Sequence, residues 1–180
     1  MAVFAIIVSI LLWLSSIWCL FGRQTIAPAL SFFALLVLSL ARENGYPLVP
    51  VNNVMLIGWL CMTVVVMFAS YLQTEQIRRQ IRGMGFMVTG GIVGLAVGLL
   101  GFTITSSIEL RYAVMILAVI AGIFFGFLLY VNTPDGRPVG PGSGNFIRYL
   151  LAKGFPTAIT LMQLGVALVL VIVLKNVNGI

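Results

Sequence analysis

The charged residues of this chain are gathered in a few short clusters, and the stretches between them are uncharged and of membrane-spanning length. The fourteen are Arg23, Arg42, Glu43, Glu75, Arg78, Arg79, Arg82, Glu109, Arg111, Asp135, Arg137, Arg148, Lys153 and Lys175. A hydrocarbon core about 30 Å thick needs roughly 20 helical residues. Apolar blocks of that order lie at about 1–21, 26–41, 54–72, 84–104, 112–131 and 155–174. They are continuously apolar rather than alternating, and lipid accepts only backbones whose hydrogen bonds are satisfied internally, so helices are expected and a barrel is not. The expected fold is all-α: a polytopic helical integral membrane protein, one transmembrane domain over 1–180, built as a six-span bundle with no ionisable side chain inside. Block 26–41 is the shortest, with Pro28 in its first turn, where proline costs little.

Composition agrees. The chain is 61% hydrophobic and 8% charged, with mean hydropathy +1.16, whereas a soluble domain carries about a quarter charged residues. The net charge of +6 has a topogenic explanation, so no nucleic-acid partner is inferred. With six spans and the N-terminus outside, Arg23, Arg78, Arg79, Arg82, Arg137, Arg148 and Lys153 fall on the cytoplasmic side, against Arg42, Arg111 and Lys175 on the other. Cytoplasmic loops collect Lys and Arg. This predicts a multi-pass protein of a bacterial inner or plasma membrane with both termini non-cytoplasmic. The first block has neither a basic leading segment nor a small-residue cleavage site and reads as a retained span.

The strongest local pattern runs through the fourth block. Gly90, Gly94 and Gly98 recur every four residues, flanked by Gly91 and Gly101, and Gly122 and Gly126 continue the theme in the fifth block. Such spacing lines one helix face with backbone and lets a second helix approach closely. The expected use is packing within the bundle, with contact between copies as the next reading. Milder stripes of small residues are Ala27, Ser31, Ala34 and Ala41; Ala5, Ser9 and Ser16; and Gly58, Cys61 and Ala69. Each is expected to face inward, with bulky residues toward lipid.

Gln163 is the one strongly polar side chain deep in a block. Its amide needs a partner there, for which Thr63, Thr89, Thr157 and Thr160 are available; a substrate or ion ligand is the functional alternative. The cytoplasmic basic cluster Arg78, Arg79 and Arg82 reads as part of a helical continuation of the third block over 74–82, with Glu75 at ion-pairing distance along the helix. It is a topogenic cluster that meets anionic headgroups, or a docking site for a partner. The five tyrosines, Tyr46, Tyr71, Tyr112, Tyr130 and Tyr149, fall at block ends, as expected of interfacial rings. The segment 132–144 is rich in Gly and Pro but lacks the lysine and hydroxyl of a phosphate-binding loop; it reads as a turn-rich connector. The following 145–153 should lie in the interface, with Arg148 and Lys153 reaching outward.

Absences narrow the function further. The chain has no histidine and only four carboxylates, all expected outside the hydrocarbon, which leaves no imidazole chemistry and no intramembrane carboxylate pair. Cys19 and Cys61 supply neither a disulfide framework nor a zinc site. No metal, cofactor or catalytic constellation is therefore expected. Two classes of function survive. One is a non-catalytic integral membrane subunit or scaffold of a larger membrane assembly, partnered by lipid and by other membrane subunits or copies of itself. The other is a small-solute transport component or channel with an uncharged intramembrane cavity.

Overall fold

The computed structural model describes residues 2–22, 24–43, 46–47, 49, 51–79, 82–101 and 107–177. The main helices are α1 (Ala2–Phe21), α2 (Ala27–Leu40), α3 (Asn53–Tyr71), α5 (Met84–Gly101), α6 (Ile108–Val131) and α8 (Phe155–Val177). Two short helices, α4 (Glu75–Arg79) and α7 (Phe146–Tyr149), lie in connections. A minimal antiparallel ladder, β1 (Arg42–Glu43) against β2 (Tyr46–Pro47), follows α2, with Glu43 opposite Tyr46.

Among the described residues, five helices are long and apolar enough to cross a membrane, as in a multi-pass membrane protein. The exception is α2, whose 14 residues extend roughly 21 Å. Its Pro28 sits in the first turn, where the missing N–H has no intrahelical acceptor to lose.

Side-chain hydrogen bonds fix the directions. Ser9 Oγ donates to the Ala34 carbonyl (3.1 Å) and Ser16 Oγ to that of Ala27 (2.9 Å), so α1 and α2 are antiparallel. Ser31 on α2 reaches Thr160 of α8, and Gln24 just before α2 meets Lys153 just before α8, so these two run parallel. α3 runs against α8, joined by Gln163 to Thr63 and by Ser70 to Ala152. Gly91 and Gly165 bring α5 alongside α8 in parallel, through Leu161 and Leu95 respectively, whereas α6 is antiparallel to α5. Direction therefore alternates through all six long segments. The connections 22–26, 72–83 and 132–149 consequently share one end of the bundle.

α8 is the axis. Along its span 72% of residues are buried, against 17% in α1 and in α3, and the outer faces present residues such as Phe4, Leu14, Val65, Val97, Leu117 and Phe125. The closest pairing is α5 on α6. A Cβ on Gly90 would collide with the Gly122 carbonyl, one on Gly94 with the Ala118 carbonyl and one on Gly126 with the Phe86 carbonyl. A Cβ on Gly98 would stand 2.8 Å from Met115 Cα, and one on Gly101 only 3.4 Å from a Val114 methyl carbon. Backbone packs directly on backbone here, gaining dispersion contact that any side chain would remove.

Several expectations change. The small stripe of α3 does not face inward: Gly58 and Cys61 are exposed, and Thr63, Val66 and Ser70 form the buried face. Hydrogen bonding explains the choice, because Thr63 and Ser70 carry the hydroxyls that contact α8 and the turn preceding it. The stretch after α3 is not a continuous helix; α3 ends at Tyr71 and α4 begins separately at Glu75. The last span also starts earlier than the sequence suggests. α7, a π-helical turn at Leu150–Gly154 and α8 form one continuous rod from Phe146.

The π turn has a local cause. Pro156 has no N–H for the Ala152 carbonyl four residues back, and the Phe155 N–H bonds the Leu150 carbonyl five residues back instead. Ser70 Oγ of α3 fills the vacancy, donating to the Ala152 carbonyl at 3.2 Å.

Two glycine substitutions separate the packing faces. Gly94→Ala should destabilise the bundle by about 1–3 kcal/mol through overlap. Gly58→Ala, whose Cβ meets nothing within 4 Å, should be neutral or stabilising by up to about 1 kcal/mol. Unfolding in detergent checks both, and equal effects would contradict the assigned faces.

Candidate functional site

Polar residues recur on α8 and the turn before it at Lys153, Thr157, Thr160 and Gln163, and all four are buried. The first three are spaced by four and three residues and so share a stripe. Thr157 Oγ1 and Thr160 Oγ1 donate to carbonyls one turn back, Lys153 and Pro156, at 2.8 and 2.7 Å. The Thr160 carbonyl in turn accepts from Ser31 Oγ of α2 at 3.1 Å.

Gln163 is fully buried, and its Nε2 donates to Thr63 Oγ1 at 2.8 Å. Thr63 passes the chain on to the Trp59 carbonyl at 2.7 Å. Of the four threonines available from sequence, α3 supplies the partner. Thr157 and Thr160 are engaged within their own helix, and Thr89 faces outward. The amide is only half used, because Gln163 Oε1 is buried without a hydrogen-bond partner.

Lys153 corrects the expectation of an uncharged interior. Its side chain does not reach outward; it is fully buried, and Nζ donates to Gln24 Oε1. Gln24 is itself 2% exposed. The π turn explains the inward aim: the extra residue per turn rotates Lys153 relative to a regular helix, toward the α1–α2 connection rather than lipid. An ammonium donates only, so the Gln24 oxygen must face it. That leaves Gln24 Nε2, buried and without an acceptor. A buried lysine donating to an amide with one unsatisfied arm is the most chemically distinctive grouping among the described residues. Arg148, by contrast, is exposed as expected.

The same end is closed by aromatic rings. Tyr130 (2% exposed) and Tyr149 (0%) stack with centroids 6.1 Å apart and planes at 24°. They are not interfacial rings facing headgroups. Tyr149 Oη donates to the Arg82 carbonyl (2.9 Å) and Tyr130 Oη to the Asp135 carbonyl (3.1 Å), each fastening a connection onto the bundle. Gly83 adopts φ +85°, and a Cβ there would strike the Tyr130 ring at 2.5 Å, so glycine is required on both counts. Arg82 pairs with Asp135 at 3.0 Å. With 72% and 62% of the side chains exposed, that pair contributes at most about 1 kcal/mol. Arg78 and Arg79 close α4; their side chains lie outside the described residues.

Two hollows among the described residues contain neither Gln163 nor Lys153. One, of about 500 Å³, notches the outer face of the α5–α6 pair over Thr89, Gly90, Gly122 and Gly126. The other, of about 430 Å³, lies between α3, α6 and α8 and is lined by apolar side chains. No known protein family, curated protein or solved structure matches the chain.

The Lys153–Gln24 pair and the Tyr130–Tyr149 stack were not singled out from sequence. The available signal was Pro156 three residues beyond Lys153, with hydroxyls at 157 and 160 continuing its stripe.

Two double-mutant cycles test the column. Gln163→Leu with Thr63→Val should show coupling near 0.6 kcal/mol and at most about 1.7. Gln24→Leu alone should cost about 1–3 kcal/mol by removing one acceptor from the buried Lys153. Adding Lys153→Met should restore much of that loss, because removing both partners of a buried polar pair is cheaper than removing one. Simple additivity would sink the pairing.

Proposed function

We propose that the chain is a non-catalytic integral membrane subunit or scaffold of a larger membrane assembly. The observation that carries this reading is the inward-turned stripe of α8: the Thr157 and Thr160 hydroxyls and Gln163 Nε2 are directed to partners inside the bundle, and the two hollows described above are lined by apolar surface. A solute pathway needs a polar lining that continues through the membrane. Partners would meet the outer notch of α5–α6, where glycine backbone is accessible to a side chain from another helix. They would also meet the basic connection end.

In this reading α2 completes a sixth pass, both termini are non-cytoplasmic, and the basic connections face the cytoplasm. The alternating helix directions and the seven-to-three distribution of Lys and Arg support it. Topology reporters placed before Ala2 and after Ile180 should both report the non-cytoplasmic side, and one within 138–144 the opposite side. A cytoplasmic signal at either terminus would overturn the arrangement.

A small-solute transport component is the second reading, and Lys153 favours it. Ionisable residues within membrane spans are costly and commonly mark ion or substrate paths, and Gln24 Nε2 and Gln163 Oε1 are buried polar atoms with capacity to spare. Extraction in mild detergent followed by native mass spectrometry should recover the chain with a partner protein or as a defined homo-oligomer, while proteoliposomes of the chain alone should carry no solute flux. Flux abolished by Lys153→Met, with the chain still folded, would reverse the order of the two readings.

A further inference from the structure

The apolar hollow between α3, α6 and α8 carries an inference independent of either reading above. Its walls include Trp59 and Met62 of α3, Ile120 and Phe124 of α6, and Ala158 and Met162 of α8, with Leu150 and Gly154 of the π turn and Met87 of α5 closing one end. Nothing polar lines it that could hold a solute. Met62, Ile120, Phe124 and Phe155 are 45–53% exposed, so it opens sideways, toward lipid.

Its size selects the occupant. From Leu150 to Met162 it extends about 18 Å along the helix axis. The observed 430 Å³ is about three times the roughly 150 Å³ cavity that takes one benzene ring, which scales to one hydrocarbon chain of about sixteen carbons.

Charge selects the headgroup. The Leu150–Gly154 end of the cleft points to the connections, which carry six basic and two acidic residues by sequence. Arg148 is exposed within one helical turn of Leu150, and the Met87 methyl group touches the Gly154 position at the cleft floor.

We infer that this cleft is a binding site for an anionic glycerophospholipid, with one acyl chain between α3 and α6 against α8 and its phosphate toward Arg148. The π turn is part of the site, because it places Gly154 rather than a bulkier residue at the floor.

Trp59 provides a readout that leaves the cleft unaltered. In a Trp13→Phe/Trp18→Phe background, Trp59 fluorescence should be quenched saturably by brominated-chain phosphatidylglycerol added to nanodiscs of unbrominated phosphatidylcholine. Brominated phosphatidylcholine should need about fivefold more for the same quenching, the effect expected of one basic residue near an anionic headgroup. Arg148→Gln should erase that preference while leaving quenching, and Ala158→Phe, which fills the cleft, should abolish the saturable component. Equal quenching by both lipids, linear in mole fraction, would overturn the site. So would saturable quenching that survives Ala158→Phe, or a change of oligomeric state as the sole effect of that substitution.

Discussion

Hydrocarbon offers no hydrogen bonds, and the bundle is arranged around that constraint. A polar group carried into the interior is stabilised by a partner on the same chain, and four of the ten buried polar side chains among the described residues lie on α8 or the turn before it. Ser31 of α2, Thr63 of α3, Ser70 of α3 and Gln24 before α2 all converge on α8 or the turn leading into it. These contacts are individually weak, but they are directional, so they fix rotation and depth where van der Waals packing alone would tolerate sliding. The surrounding helices can then be apolar on their outer faces without ambiguity about which face is which.

A second kind of contact operates between α5 and α6. There the helices meet backbone to backbone, and shape rather than hydrogen bonding sets the register. The two modes meet at Gly91, where side chains of α6 and α8 fill the space glycine leaves, and at Gly165, where side chains of α5 and α6 do so. At the connection end the tyrosine hydroxyls cap exposed loop carbonyls, and the exposed Arg82–Asp135 pair adds little to what the stacked rings already hold.

Legibility in sequence followed the range of the physics involved. The span blocks were legible because hydrocarbon thickness acts on every segment of chain independently. The glycine run of α5 was legible as a face for close approach, though not as the partner of α6 in particular. The stripe of α3 was misread: Gly58 and Cys61 are small, and small residues are only permissive, whereas Thr63 and Ser70 had acceptors waiting on another helix. Lys153 was misread for a related reason. A basic residue near a span end normally reaches for water, and the proline-induced π turn that turns it inward only matters once Gln24, 129 positions away, is known to be beside it.

Composition and charge spacing by themselves determined that the chain is helical and built of membrane-length apolar segments. Those properties arise from each segment's own encounter with lipid. Tertiary structure alone decided that α8 is the axis, that α2 runs alongside it though too short to count among the long spans, and that one lysine is enclosed. These depend on which helix lies against which, and pairing between segments over a hundred residues apart leaves no periodic trace in either segment.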